Sequence, residues 1–424
     1  MTVRTTLARR RTAIIGTALA VLMLVAGNLP ATAGGVTSTI PVGSDPRGVA
    51  FTPDGSTAYV TNMHSNTVSV ISVASGTVAA TIPVGTGPRA VAFTPDGSTA
   101  YVTNWNSNTV SVISVASGTV TSTIPALVDP FGVAFTPDGS KAYVTNAGPD
   151  TVSVIDVASA TVTATIPVGL SPVGVAFTPD GATAYVTNAD SNTVSVIAVA
   201  SGTVTSTIPL EAIPWGVAVS PDGSTAYVTN FDAGTVAVIA VASGTVTSTI
   251  PAGPNPNAVA FTPDGSTAYV TNIYFGTVTV IDVASGIIAS TIPVGPDPEN
   301  VAFTPDGSTA YVTNSGGRPG FDMVWVIDVN ATPPVFTAKT PPTKATMRAA
   351  YSYTFTATGD PAPTFYVSSG ALPAGLSLDS STGVLSGTPT KAGKATFTVT
   401  ATNGVSPDAS TGPITITVTK GKVR

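Results

Sequence analysis

The tetrapeptide Tyr-Val-Thr-Asn occurs seven times in this chain, and each copy begins 42 residues after the one before. A fixed period of this length is the sequence signature of a repeat fold, so it restricts the possible architectures more than any other feature does. The copies begin at Tyr59, Tyr101, Tyr143, Tyr185, Tyr227, Tyr269 and Tyr311.

Each unit divides into four β-rich runs, which in the first unit cover about residues 48–52, 57–61, 67–73 and 77–84. Two of the turns are Pro53-Asp54-Gly55 and Ala74-Ser75-Gly76. Proline presets φ at the start of a turn, and glycine accepts positive φ at its end. Four strands in 42 residues is the size of a β-propeller blade. Neighbouring blades cover both faces of a blade, which accounts for 43% hydrophobic and only 9% charged residues.

The two ends of the repeat array predict a closed ring. The seventh unit lacks a fourth run, whereas residues 36–42 read as a fourth strand with no blade before them. Pairing of residues 36–42 with the strand at 324–329 would complete the last blade and remove two exposed sheet edges. We therefore expect an all-β, seven-bladed propeller over residues 36–330.

The repeats resemble the YVTN family of β-propellers, which is named for the tetrapeptide at residues 59–62 and its six copies. The resemblance implies the fold of residues 36–330. It implies little about function, because related propellers include surface-layer components, lactonase-like enzymes and binding modules.

The N-terminus has the pattern of an export signal. Arg9, Arg10 and Arg11 precede an apolar run at about residues 13–26, and Ala31-Thr32-Ala33 has the small-residue pattern of a cleavage site. We expect residues 1–33 to be a signal peptide, and the mature protein to be extracellular or associated with the cell surface without a transmembrane segment.

The C-terminal part has a different composition. A proline-rich linker and domain entry is expected at residues 331–342. The sequences Leu-Pro-Ala-Gly-Leu-Ser-Leu at 372–378 and Gly-Val-Leu-Ser-Gly-Thr-Pro at 383–389 resemble the Ig-like module of bacterial surface proteins, related to cadherin-like sandwiches. The resemblance covers residues 335–419 and implies a spacer or adhesion module. No cofactor is predicted; calcium is the one candidate, although Asp360, Asp379 and Asp408 are isolated in sequence.

Charge and composition limit the chemistry. Residues 36–330 contain 4 basic and 19 acidic residues, a net charge of −15, which argues against nucleic acid as a partner. With no cysteine and one histidine, a Cys–His site or a His-rich metal site cannot be built. A Ser-His-Asp triad would have to use His64. The Asp of every Pro-Asp-Gly turn is expected to cap its own turn and to have no catalytic role.

Differences between the repeats indicate a candidate binding surface. They concentrate in the loop after each Tyr-Val-Thr-Asn and in the link between blades, two segments that share one end of a propeller. Arginine and aromatic residues in them are the types that anchor binding. In the links the candidates are Arg47, Arg89, Phe131, Trp215, Asn257 and Glu299, and in the loops they are His64, Trp105, Phe231, Tyr274, Phe275 and Arg318.

The sequence favours a non-enzymatic, monomeric binding protein at the cell surface. Arg47 and Arg89, in adjacent blades, are expected to form a positive island with Glu299 of blade seven beside Arg47, a cluster that suits an acidic glycan or a cell-wall polymer. The alternative is that Arg47 and Glu299 simply pair with each other. A lactonase-like hydrolase with its site at the channel mouth, and a structural surface-layer or cell-wall component, remain the alternatives.

Overall fold

A computed structural model describes residues 34–125, 127–316, 322–405 and 407–421. The expected signal peptide and Arg318 lie outside these ranges. Within them the chain forms two compact units, one built mainly from Ser38–Ile327 and the other from Asp328 onward. Strands and turns make up both units, together with one short 3₁₀ turn at Ile273–Phe275.

The first unit consists of seven four-stranded sheets, numbered here as blades 1 to 7. The first strands are Pro46–Phe51, Pro88–Phe93, Pro130–Phe135, Pro172–Phe177, Pro214–Val219, Pro256–Phe261 and Pro298–Phe303. The second strands are Thr57–Asn62, Thr99–Asn104, Lys141–Asn146, Thr183–Asn188, Thr225–Asn230, Thr267–Asn272 and Thr309–Asn314. The third strands are Thr67–Ser72, Thr109–Ser114, Thr151–Asp156, Thr193–Ala198, Thr235–Ala240, Thr277–Asp282 and Met323–Asp328. The fourth strands are Thr77–Pro83, Thr119–Ile124, Thr161–Pro167, Thr203–Pro209, Thr245–Pro251, Ile287–Pro293 and, for blade 7, Gly35–Pro41.

The ring closes as predicted. Gly35–Pro41 pairs with Met323–Asp328 and so supplies the fourth strand of blade 7. The first strand of every blade contacts the first strands of both neighbouring blades, so these strands line the centre of a closed ring. The seven-bladed propeller is thereby confirmed.

The tyrosine of each repeat packs against the next blade. The Tyr59 ring lies 4.8 Å from Phe93 of blade 2, and the Tyr311 ring lies 4.8 Å from Phe51 of blade 1. Six of the seven junctions have such a pair; at the fourth junction the residue equivalent to phenylalanine is Val219. An aromatic pair contributes about 0.5–1.5 kcal/mol beyond the burial of its surface, so each pair reinforces one junction.

The threonine of each repeat joins two blades by hydrogen bonds. Each first strand bulges after its proline, because Pro46 pairs with Asn62 and Val49 pairs with Val60. The Thr61 hydroxyl accepts a hydrogen bond from the N–H of Gly48 in this bulge (2.8 Å) and donates one to the carbonyl of Arg89 in blade 2 (2.7 Å). We call this arrangement the threonine bridge.

The threonine bridge is present at all seven junctions. The other donors are Thr103, Thr145, Thr187, Thr229, Thr271 and Thr313, and their acceptors are the carbonyls of Phe131, Val173, Trp215, Asn257, Glu299 and Arg47. The last of these bonds, 2.6 Å long, crosses the ring closure.

The second unit is an Ig-like sandwich. The largest sheet has the order Lys344–Thr346, Ile414–Thr419, Gly393–Thr402, Thr364–Gly370, and Ala409–Ser410 pairs with Gly393–Thr402. A three-stranded sheet has the order Tyr351–Thr354, Val384–Gly387, Leu376–Leu378. A two-stranded sheet consists of Thr332–Ala338 and Thr356–Asp360. The two motifs at 372–378 and 383–389 thus contribute adjacent strands. Phe355, Phe397 and Leu385 lie in the core.

Part of the segment expected to be a linker is instead a strand. Thr332–Ala338 contains two prolines, but its register shifts at that point, and a bulge needs no N–H from them. Phe336 in this strand packs against Phe355 and Phe365, which ties the segment to the sandwich.

Replacing Thr313 with valine should destabilise the propeller. Valine keeps the shape but leaves the N–H of Asn300 and the carbonyl of Arg47 without their hydroxyl partner. Burying such groups unpaired costs about 1–3 kcal/mol each, so the midpoint of urea unfolding should fall. Thr313→Ser, which keeps the hydroxyl, is the control. Equal midpoints for the two variants would contradict a stabilising threonine bridge.

Candidate functional site

The variable loops and links lie side by side at one end of the propeller. In blade 1 the N–H of Met63 in the loop donates to the carbonyl of Asp45 in the link at 2.8 Å, and the equivalent bond recurs in all seven blades. We call this end the variable end. It brings together the residues singled out from the sequence, apart from Arg318.

The opposite end carries the Pro-Asp-Gly turns. The Asp54 carboxylate accepts hydrogen bonds from the Thr52 hydroxyl at 2.6 Å and from the N–H of Ser56 at 3.0 Å. The same backbone cap forms in the other six turns. These hydrogen bonds lower the pKa of the Asp54 carboxyl below its usual 3.8, and the bond from the Thr52 hydroxyl has the largest effect. Each of these aspartates therefore closes its own turn.

Arg47 lies in a buried polar sector of the rim, formed with Asp45, Asn257, Glu299 and Ser315. Its guanidinium donates a hydrogen bond to Glu299 and forms an ion pair with Asp45 at 2.8 Å. Glu299 also accepts a hydrogen bond from the Ser315 hydroxyl at 3.1 Å, and Asn257 donates one to the Glu299 carbonyl. Arg47, Asp45, Asn257 and Glu299 are each less than 10% exposed.

The positive charge of Arg47 is fully engaged within the polar sector. Burial alone would lower the pKa of Arg47, but the carboxylates of Glu299 and Asp45 outweigh it and raise the pKa, so the guanidinium stays charged. Two carboxylates then surround one cation. The expectation that Arg47 belongs to a positive island is therefore wrong, because Glu299 of the adjacent blade 7 and Asp45 of its own link both pair with it.

His64 extends the polar sector to solvent. Its Nδ1 lies 3.4 Å from Asp45, and its side chain is 72% exposed. A carboxylate beside an imidazole is an arrangement that can orient the ring for proton transfer.

Six of the remaining candidate residues form a continuous row, which we call the rim arc: Trp105, Arg89, Phe131, Trp215, Phe231 and Tyr274. The Arg89 guanidinium lies 3.7 Å from the centre of the Phe131 ring and 5.3 Å from that of Trp105. Ring centres are 5.6 Å apart for Phe131–Trp215, 5.8 Å for Trp215–Phe231 and 6.3 Å for Phe231–Tyr274. The rim arc thus joins side chains from blades 2, 3, 5 and 6.

A small residue in blade 4 makes this row possible. Phe131 and Trp215 belong to blades 3 and 5, and Val173 holds the equivalent position between them. Val173 is buried, whereas the two larger rings keep part of their surface exposed. Phe131 and Trp215 were predicted to lie at the rim, but nothing in the sequence predicts that the two rings touch.

A cavity adjoins the rim arc at blades 4 and 5. Its volume is about 280 Å³. It is lined by Ala189, Asp190, Asn192, Glu211, Ala212, Ile213 and Asp232. None of these residues was singled out from the sequence. Glu211 stands four residues before Trp215 and Asp232 directly follows Phe231, so proximity to an aromatic candidate was the available signal.

The described residues contain neither a cluster suited to a metal ion nor a helix suited to a membrane. Among the residues that the structure describes, no three His, Cys, Asp or Glu side chains are grouped closely enough to hold a metal ion. In the Ig-like unit the Asp379 carboxylate is held by the N–H of Thr382 and nearby hydroxyls, which lower its pKa to about 2. No helix in the described ranges is long and apolar enough to span a membrane.

Comparison with known proteins identifies one family for the propeller and one for the C-terminal domain. Residues 75–208 and 129–303 match the family described as "Lactonase, 7-bladed beta-propeller", which together is more than half of the chain, and residues 333–419 match "Putative Ig domain". The chain belongs to this seven-bladed propeller family and carries an Ig-like domain at its C-terminus. The two propeller matches overlap, as expected when similar blades can align with the same part of a family pattern.

One solved structure gives a fold comparison. A chain of Kuenenia stuttgartiensis hydrazine synthase is 25% identical to this protein, with a TM-score of 0.62 over 67% of this chain and 95% of that one. No curated protein matches the chain significantly.

Replacing Arg47 with methionine should strongly destabilise the propeller. The change leaves the carboxylates of Glu299 and Asp45 buried without their cation, which costs roughly 3–5 kcal/mol. The double variant Arg47→Met/Glu299→Gln removes one of these charges and should recover part of the loss. Urea unfolding measures both. A loss below about 1 kcal/mol for the single variant would indicate an exposed, screened ion pair instead.

Proposed function

We propose that this protein is an exported, non-enzymatic binding protein that recognises an extracellular ligand through its variable end, with the Ig-like domain as spacer or adhesion module. The observation that carries the proposal is the rim arc. Its six side chains come from positions at which otherwise similar repeats differ, and aromatic and arginine side chains in such clusters dominate binding energy.

The ring itself does not need the side chains of the rim arc. The threonine bridge uses the backbone carbonyls of Arg89, Phe131 and Trp215, so any residue at these positions could accept it. Partly exposed rings at such positions would serve no structural purpose in the ring, which supports a role in recognition. The signal-peptide pattern at residues 1–33 supports export, and the Ig-like domain supports a place at the cell surface.

The arrangement of charges at the rim does not favour an acidic glycan, which was expected from the sequence. That expectation needed two available arginines, and Arg47 is held by two carboxylates. Stacking on aromatic rings does not require an anionic ligand, so the variable end remains suited to recognition of a cell-wall polymer or another surface ligand.

A lactonase-like hydrolase is the second candidate function. The family match favours it, and so does the Asp45–His64 pair at the rim. Against it, Arg47 and Glu299 are buried and bonded to each other, so a substrate could use them only by breaking a buried ion pair.

Loss of two aromatic rings should abolish binding. Trp215→Ala/Phe231→Ala removes the centre of the rim arc and should reduce capture on a glycan array or on isolated cell-wall material by roughly tenfold or more. Val246→Ala, which trims an exposed side chain on an outer strand, is the control. The proposal is wrong if the double variant and the wild type capture the same material equally well.

Hydrolysis assays distinguish the second candidate. We expect no turnover of lactones above the uncatalysed rate, because the polar groups of the rim are engaged with one another. If turnover is found, and His64→Ala or Glu299→Gln abolishes it while Asp408→Asn does not, the hydrolase replaces the binding protein.

A further inference from the structure

At one end of the rim arc, Trp215, Phe231 and Tyr274 form an aromatic patch together with Phe275, the residue next to Tyr274. Tyr274 and Phe275 are 51% and 63% exposed. They stand on the 3₁₀ turn, which buried Ile273 anchors and Gly276 ends at φ 61°. The two most exposed rings are therefore held on a fixed turn. Large exposed rings fixed in this way mark a contact surface.

Negative charge predominates at the variable end. The adjoining cavity of about 280 Å³ is lined by Asp190, Glu211 and Asp232 and by no basic residue. In the described loops and links of the variable end, nine carboxylates stand against two arginines. Arg47 is bound by Asp45 and Glu299, and Arg89 lies over the Phe131 ring. An anionic ligand would be repelled here, whereas a cationic one would be attracted.

We propose that the aromatic patch binds an organic cation with an alkylated ammonium group. The ring faces attract a weakly hydrated cation and bury its methyl groups, while the carboxylates at the cavity complement its charge. A neutral ligand would gain only the apolar contact. This inference rests on the proposed function and specifies the ligand class that the variable end recognises.

Choline and 3,3-dimethyl-1-butanol test the proposal, because they have the same shape and only choline is charged. Isothermal titration of the full chain should show choline binding tighter than the neutral alcohol by roughly tenfold or more, and weakening as salt is added. Tyr274→Ala and Trp215→Ala should each weaken choline binding severalfold. Tyr274 is half-exposed, so its loss should leave the fold intact even if the Trp215 variant is unstable.

Two aspartate variants separate local charge from total charge. Asp232→Asn removes a carboxylate that lines the cavity, and Asp408→Asn removes one in the Ig-like domain. Only the first should weaken choline binding. Equal effects of the two variants, or equal binding of choline and the neutral alcohol, would overturn the assignment of an organic cation.

The outcome for the ligand class is separable from that for the proposed function. If choline does not bind but Trp215→Ala/Phe231→Ala still abolishes capture of cell-wall material, the cation assignment is wrong and the binding function stands. If choline binds and competes with that capture, both are supported. If choline does not bind and the double variant captures as well as the wild type, both are wrong.

Discussion

The hydroxyl of one threonine per repeat connects the blades to one another. A bulge in each innermost strand leaves an N–H without a strand partner, and the threonine accepts its hydrogen bond while donating to a carbonyl of the next blade. The same group therefore completes a blade and attaches it to its neighbour. The bond from Thr313 to Arg47 repeats this geometry where the two ends of the ring meet, so the closure is bonded like the other junctions.

The ring therefore fixes the backbone of each rim residue, while the side chain lies at the channel mouth and takes no part in the threonine bridge. In this protein the mouth is divided into two regions of different character. Blades 1, 6 and 7 contribute a buried polar sector in which Arg47 and its two carboxylates satisfy each other. Blades 2, 3, 5 and 6 contribute the rim arc, whose rings remain partly open to solvent. The first region stabilises the ring closure, and the second keeps aromatic surface exposed.

Repetition made the fold predictable from sequence, and the lack of repetition limited what could be predicted at the rim. The fixed period and the orphan strand at 36–42 were enough to derive seven blades and their closure. Only one of the two partners of Arg47 could be predicted. Glu299 holds the equivalent link position in the adjacent blade, so its proximity follows from the repeat. Asp45 turns inward because its backbone has a positive φ of 59°, which the sequence does not indicate. Contact between Phe131 and Trp215 skips a blade, so it depends on the curvature of the ring and the small size of Val173. The strand Thr332–Ala338 was missed because its prolines indicate a linker.

The threonine bridge also affects which amino-acid substitutions the rim can accept in evolution or in engineering. Because its acceptor is a main-chain carbonyl, the bridge does not depend on which amino acid supplies that carbonyl. The four acceptor positions outside the buried polar sector, Arg89, Phe131, Val173 and Trp215, can therefore be exchanged without breaking a bridge, much like the hypervariable positions of an antibody. A library randomised at these positions would vary the rim surface on an unchanged framework. Gene duplication followed by point mutation would produce the same kind of variation.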